Sequence, residues 1–329
     1  MTMPEPQWEA ATEAIHAAKK ILIVTHVNPD GDAIGSALGL ANALRAMGKK
    51  VTVCDDDRVP EFLSFLPGAD KVNMKITYGK WDVMIATDAA DAGRMGQAGI
   101  FGMERSKVVI NLDHHVTNTR FGDIHLIVPE SVAAAEIVFD WWQHAGVEIT
   151  PEVATPLLTG LVTDTRGFRI NSVKPRTLEV AQALMAAGAS LFDVIANTLD
   201  SKPYRIIDLW KHTFPEVELD GGVIYACIQN DFFEKANVED GGDGGLVSLL
   251  MQVNEANIAA LFKEVPNKPG IIRMSFRCRP GFDVASVAEQ IDGGGHTLAA
   301  GASFNGTCEE AIAHVLPLLK AEATRGSNA

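Results

Sequence analysis

Two kinds of hydrophobic pattern divide the chain. Up to residue 190, short continuous apolar runs alternate with longer stretches of helical period. The runs Ile21–Val24, Lys50–Cys54, Asp82–Asp88 and Lys107–Leu112 predict strands. Trp8–Lys19, Asp32–Met47, Glu130–Ala145, Pro151–Thr163 and Lys174–Ala187 space their apolar residues as helices do, and Pro60–Leu66 predicts a short further helix. In Asp32–Met47, for instance, Ile34, Leu38, Ala41 and Leu44 share one face and Gly48 ends it. Thr150 with Pro151 marks another helix start. Strands alternating with helices imply a largely parallel sheet. Leu191–His212 reads as a helical connector. The pattern then turns strand-rich, with Val223–Gln229, Ala256–Glu264 and Ile271–Arg279, before a last helix over Glu309–Ala323 that is open to interruption at Pro317. The expectation is an α/β chain of two domains: a parallel-sheet domain over residues 1–190, a linker over 191–212, and a smaller mixed-sheet α/β domain over 213–329.

Composition narrows the class. The chain has 329 residues, 47% of them apolar, which suits two well-buried cores. No run approaches the length of a membrane span, and the N-terminus lacks a basic segment followed by an apolar one. Cys54, Cys227, Cys278 and Cys308 are scattered without CxxC spacing, so they read as reduced thiols of a cytoplasmic protein. The net charge of −14 argues against a surface that tracks a long duplex, although it leaves room for a small basic pocket.

The candidate chemistry lies where strands end, the usual place for sites in open α/β sheets. The first strand runs into His26, Asp30 and Asp32. The segment is no calcium loop, since Ala33 and Gly39 stand where the loop needs Gly and Glu. It is no P-loop either, since no Lys precedes Ser36. The bland alternative is an Asp-Gly turn with Asp32 as helix N-cap. Three further ends weigh against it: the third strand stops at Asp88, the fourth at Asp113-His114-His115, and the helix from Pro151 at Asp164. These nitrogen and carboxylate groups are too many for one zinc ion and suit two divalent ions sharing a carboxylate. Their oxygen-rich mix favours Mn2+, then Mg2+. Asp30, Asp32, Asp88 and Asp164 would balance two such ions and leave room for a hydroxide nucleophile. The acidic triplet Asp55–Asp57 reads as a solvated turn.

In the second half, alternation along Ile271–Arg279 puts Arg273, Ser275, Arg277 and Arg279 on one strand face, a phosphate cradle or a solvated edge. Glu239–Gly245, rich in glycine, reads as a mobile loop. The three glycines before His296 would let backbone N–H groups approach a ligand.

His26-Val-Asn-Pro-Asp30-Gly-Asp32, Thr87-Asp88, Asp113-His114-His115 and Thr163-Asp164-Thr165 resemble the four motifs of the DHH phosphoesterase superfamily. Gly293-Gly294-Gly295-His296 with Ala299-Ala300-Gly301 resembles the signature of its companion DHHA1 domain. The resemblance covers nearly the whole chain and is nearest to the nanoRNase/pAp phosphatase type. It implies that His26, Asp30 and Asp88 hold one ion, that Asp32, Asp88, His114 and Asp164 hold the other, and that Asp88 bridges. It implies that His115 faces the substrate phosphate while Asp113 orients an imidazole, and that Arg94, Arg277, Gly294, Gly295 and His296 contact substrate. The activity it implies is hydrolysis of short oligoribonucleotides to 5′-mononucleotides and of 3′-phosphoadenosine 5′-phosphate (pAp) to AMP. Alternatives are a cyclic or linear dinucleotide phosphodiesterase and a non-catalytic nucleotide-binding regulator. A homodimer is implied too. One departure is Arg166, which stands where the family often has Gly.

Overall fold

The computed structural model describes residues 5–239, 241–266 and 268–325. The chain forms two compact units, residues 1–201 and 202–329.

In the first unit the order is α1 (Trp8–Ala17), β1 (Lys20–Val24), α2 (Gly31–Ala46), β2 (Lys50–Cys54), β3 (Val72–Asn73), β4 (Trp81–Thr87), α3 (Gly96–Arg105), β5 (Ser106–Asp113), β6 (Ile124–Ile127), α4 (Ala134–His144), α5 (Pro151–Asp164), α6 (Pro175–Ala186) and α7 (Leu191–Thr198). The six strands form one parallel sheet in the order β3-β2-β1-β4-β5-β6. Strand alternation fills both faces. Ile21, Ile23, Val83 and Ile85 point into the core beneath α2, α4 and α5, whereas Leu22, Val24, Met84 and Ala86 pack with Ala98 of α3. From β1 the sheet grows one way through β2 and the other through β4. The β1/β4 boundary is therefore the topological switch point, where a crevice opens beyond the strand ends.

α2 and α5 touch backbone to backbone. A Cβ on Gly35 would come within 2.5 Å of the Pro156 carbonyl oxygen and 2.8 Å of the Gly160 nitrogen, and one on Gly39 would strike the Leu157 side chain. Gly31 lies equally close to Thr163. Glycine at every fourth position thus lets α5 lie directly on α2.

The second unit contains α8 (Tyr204–Thr213), β7 (Glu218–Asp220), β8 (Val223–Ile228), α9 (Asn230–Lys235), α10 (Leu246–Leu250), β9 (Ile258–Glu264), β10 (Ile271–Cys278), α11 (Val284–Glu289), β11 (Gly294–His296), β12 (Ala299–Asn305) and α12 (Cys308–Arg325). Its sheet runs β11-β12-β10-β9-β8-β7, antiparallel except for β8 with β9. One face, with Ile272, Met274 and Phe276, is buried together with α11 and α12. On the other, Ala259, Leu261, Ala226 and Ile228 are buried with residues of α8, α9 and α10.

Several expectations need correction. The connector is two helices, α7 and α8, separated by Leu199–Pro203, because Pro203 fixes an extended entry and cannot continue a helix. Pro60–Leu66 holds only a 3-10 turn at Glu61–Leu63. Pro317 lies inside α12 without ending it. Cys227 and Cys308 are not free thiols but a disulfide, with Cα atoms 6.3 Å apart. Their 81-residue separation hides the pairing, which arises because the start of α12 lies against β8. Cys54 and Cys278 are free and buried. In the glycine-rich loop, Asp240 lies outside the described residues. Asp243 is tied down: its carboxylate pairs with Lys263 at 2.5 Å and its carbonyl accepts the Trp210 indole N–H at 2.7 Å. Among the described residues no single helix is long and apolar enough to cross a membrane. α6 and α7 approach that length only as a pair bent by 106°, and both contribute to the core.

Candidate metal centre

Four chain segments converge at the switch point. β1 delivers His26, 6% exposed, and the loop behind it. Asp30 caps α2, its carboxylate accepting the N–H groups of Asp32 and Ala33 at 3.0 Å each. The N-cap is therefore Asp30, two residues earlier than the simple cap reading, and Asp32 is free for another task. Fully buried, it caps a different helix instead: its oxygens accept the N–H groups of Ala134 at 2.5 Å and Ala135 at 2.9 Å, at the start of α4. Close α2–α5 packing then sets Asp164, at the end of α5, beside it. Gly160 is part of this fit, since a Cβ there would meet Asp32 Oδ1 at 2.6 Å.

Asp88 follows β4 in a left-handed conformation (φ 57°) and is 3% exposed. Its Oδ2 lies 3.5 Å from His26 Nε2 and its Oδ1 lies 3.5 Å from His114 Nε2. Oδ1 is buried and has no hydrogen-bond partner among the described residues. His114 Nε2 is also 3.8 Å from Asp164 Oδ2, and His26 Nε2 is 4.0 Å from Asp30 Oδ1. Two mixed N/O groups result, His26–Asp30–Asp88 and Asp32–His114–Asp164, in each of which the donor atoms lie within 4.8 Å of one another. These spacings are long for hydrogen bonds and suit a cation between the donors. The orphaned Asp88 oxygen and the mixed donor set fit divalent cations.

Second partners fix the ring orientations. His26 Nδ1 is 3.0 Å from the Val27 carbonyl; an N–H there leaves Nε2 as the lone-pair donor. His115 Nδ1 is 2.7 Å from Asp113 Oδ1, while Asn118 donates to Asp113 Oδ2 at 2.6 Å. Asp88, His114 and His115 also form a group within ligand distance, with His115 Nδ1 3.7 Å from Asp88 Oδ1.

The electrostatics follow from four carboxylates crowded around two imidazoles. Burial disfavours the charged form of His26, but Asp88 and the Val27 carbonyl overcome it and raise its pKa to about 9. Burial is likewise overcome at His114, raised to about 10 by Asp88, Asp32 and Asp164. Burial would push Asp88 up, yet His114 and His26 hold it below the usual carboxylate range. Burial, with the charges of Asp88 and Asp164, pushes Asp32 well above that range, against the pull of its two amide donors. Burial also lifts Asp164 to about 6. Protons thus occupy the place that cations would take.

The acidic triplet is not a solvated turn. Asp55 is 1% exposed, and burial lifts its pKa to about 7. Asp56 accepts the N–H groups of Gln97 at 2.5 Å and Ala98 at 3.0 Å at the start of α3. Asp57 holds the backbone of Asn28. The triplet braces the loop that carries His26 and Asp30. Sequence reasoning missed it because its partners are backbone groups of other segments; it missed Asn118, five residues past Asp113, because that residue sits in a loop beyond the strand-end motif. Arg94 is exposed in the turn Ala92–Met95, and its carbonyl accepts the Val27 N–H at 2.8 Å. Arg166 is exposed, with φ 51°.

In the second unit, β11 puts Gly294 and His296 on the exposed edge beside β12. Gly293 and Gly295 are demanded by packing, since a Cβ on either would strike β12 backbone at about 2.5 Å. A Cβ on Gly294 would meet nothing within 4 Å, so that position opens on free space. Arg277 shares a cross-strand row with Ala299, which pairs with His296. Arg279 does not belong to the cradle: its guanidinium donates to the carbonyls of Ala256 at 2.8 Å and Val253 at 3.0 Å.

The comparisons with known proteins agree with this organisation. The DHH family N-terminal domain matches residues 20–161, and the DHHA1 domain matches residues 220–324. The bifunctional oligoribonuclease and PAP phosphatase NrnA of Thermus thermophilus is 35% identical over 332 residues, covering 98% of this chain and 97% of that protein. An exopolyphosphatase-related protein from Bacteroides fragilis superposes with a TM-score of 0.89 at 25% identity, covering 98% of this chain and all of the other. RecJ from Thermus thermophilus, solved with Mn2+, shares the fold at a TM-score of 0.55 and 16% identity; this chain spans 56% of it. With both domain types matched in order and the Thermus relative aligned almost end to end, the chain belongs to the DHH/DHHA1 family of phosphoesterases.

Proposed function

We propose that this protein is a metal-dependent phosphoesterase that hydrolyses very short oligoribonucleotides to 5′-mononucleotides and pAp to AMP, with two divalent cations, Mn2+ in preference to Mg2+. The observation that carries the reading is Asp88: its two oxygens face two different imidazoles inside a buried, carboxylate-rich crevice. His26, Asp30 and Asp88 would hold one cation; Asp32, Asp88, His114 and Asp164 the other. When bound, such a pair neutralises phosphate charge and makes a water acidic enough to serve as nucleophile near neutral pH. The choice of substrate is supported by the NrnA relative, whose name states both activities and which aligns over nearly the whole chain.

The chain's own groups do the rest. Asp113 holds His115 through Nδ1, which leaves Nε2 to meet a substrate phosphate. Arg94 supplies a guanidinium beside the metal loop. Arg277, His296 and the backbone at Gly294 and Gly295 take a phosphate in the second unit. The deciding experiment compares pAp, pApA, a cyclic dinucleotide and longer RNA at fixed Mn2+, with a chelator control. AMP release from pAp and pApA, abolished by chelation, is expected. Preference for the cyclic dinucleotide would overturn the reading.

A further inference from the structure

The open face of the second sheet carries more cationic groups than one phosphate needs. Pairing register places its residues in rows across the strands. One row is Ile228–Lys263–Arg273–Ser303, the next Ala226–Leu261–Ser275–Gly301, the third Ile224–Ala259–Arg277–Ala299. The β8 and β9 members Ala226, Ile228, Ala259 and Leu261 are buried with α8–α10 residues, whereas Arg273 and Ser303 are exposed. In the middle row Ser275 and Gly301 are small, and Gly301 can carry no side chain, since a Cβ would sit 2.7 Å from the Met274 carbonyl. The result is a trough of about 510 Å³ lined by Lys263, Arg273, Ser275, Asp292, Gly301 and Ser303.

Charge within the trough is unequally committed. Lys263 is paired with Asp243, and Asp292 sits exposed at the rim. Arg273 makes no ion pair or side-chain hydrogen bond among the described residues. Arg277 folds back to donate to its own neighbour's carbonyl, Phe276 O, at 2.8 Å, and so stays beside its own row. The two arginines are four residues apart along β10, about 13 Å of strand. Beyond Arg273 the next row, Ile271 with Asn305, carries no charge.

We propose that Arg273, with Ser303 beside it, is a second phosphate subsite that engages a strand phosphate beyond the one taken at Arg277 and His296. The trough then selects for length. It offers one contact to the shortest substrates, a second from the trinucleotide upward, and nothing further. This inference rests on the oligoribonuclease reading of the same protein, and its chemistry is that of a single-stranded phosphodiester held by a guanidinium.

The test is a series of 5′-labelled oligoribonucleotides of two to five residues, with pAp, turned over by the wild type, Arg273→Ala and Arg273→Lys. Arg273 is exposed, so both variants are expected to fold, which circular dichroism checks. Arg273→Ala should raise KM for three residues and longer about tenfold more than KM for pApA, the loss of one charged hydrogen bond. It should also reduce the slope of log KM against log salt by about 0.7 for the trinucleotide, one phosphate contact fewer. Arg273→Lys should keep that slope. KM rising equally at every length, or at none, would overturn the subsite. A wild type that hydrolyses neither pApA nor pAp would instead overturn the functional reading.

Discussion

Asp57 accepts the backbone N–H of Asn28 at 2.7 Å, and Asn28 is one of seven non-glycine residues with positive φ among the described residues. The bond fixes the strained step between His26 and Asp30. Asp57→Ala should therefore weaken Mn2+ binding about tenfold, in keeping with loss of one charged hydrogen bond, with little change in overall secondary structure. Isothermal titration reads this directly. Unchanged affinity would show that the loop holds its shape without the brace.

Asp88→Ala removes the group that faces both imidazoles. Bound metal should fall below two ions per chain, and kcat/KM should drop at least about a thousandfold, roughly 4 kcal/mol. The strands on either side bury themselves without it, so the thermal transition should persist. Two ions bound with ordinary affinity would contradict the bridging assignment.

His115→Ala separates chemistry from metal binding. With Nδ1 committed to Asp113, the ring is expected to serve substrate, so the variant should keep its Mn2+ and lose turnover. Metal analysis after gel filtration decides it. Loss of an ion would make His115 a ligand.

The pH dependence of the metal-free protein has a definite sign. His26 and His114 are raised from 6.5 to about 9 and about 10, against burial, by the surrounding carboxylates. Their stabilisation is complete below pH 6.5 and is lost as pH rises through the folded values. Asp164, lifted by burial from 3.8 to about 6, acts in the same sense: the fold binds its proton more tightly, so stability is lost as pH climbs through that interval. Asp88, depressed, works the other way, but only below its unfolded value of 3.8. For these groups, Tm without metal should fall between pH 6 and 9. The increment from saturating Mn2+ should grow over the same range, because cations displace these protons. Scanning calorimetry with and without metal checks it; an increment that shrinks with pH would refute it.

Gly35→Ala tests the helix contact. The added methyl would sit 2.5 Å from the Pro156 carbonyl, and overpacking of this kind costs about 1–3 kcal/mol. Tm should drop and Mn2+ affinity should drop with it, since α2 and α5 carry Asp32 and Asp164. Reduced Tm with intact metal binding would mean that the two carboxylates adjust independently.

The candidate metal residues are legible because short apolar runs end on them. Ile21–Val24 before His26 and Asp82–Thr87 before Asp88 are strands by pattern alone, and their ends mark sites. The helix beginning near Asp32 was legible too, but which aspartate capped it was not. Asp32 meets its amide partners more than 100 residues later, at the start of α4. The same distance effect hid the Cys227–Cys308 bond and the bracing role of Asp55–Asp57. The strands β11 and β12 escaped because glycine and alanine carry almost no periodic signal; their pairing is set by backbone approach at Gly293 and Gly295. Arg279 was misjudged for a related reason. Alternation assigns a face only while the strand continues, and β10 ends at Cys278.

The glycine contact between α2 and α5 has a consequence for how the crevice behaves when no cation fills it. Repelling carboxylates on flexible loops would swing apart and relax. Here Asp32 is clamped by two amides of α4, and Asp164 ends a helix that already touches its neighbour's backbone. Neither can retreat without sliding a whole helix. The crowding is built during folding and persists, softened by protons on the imidazoles and on Asp32 and Asp164, whose affinity for them burial raises. A single positive charge would leave such a chamber only partly neutralised, so a preference for doubly charged guests would reside in the helix spacing as much as in the donor atoms.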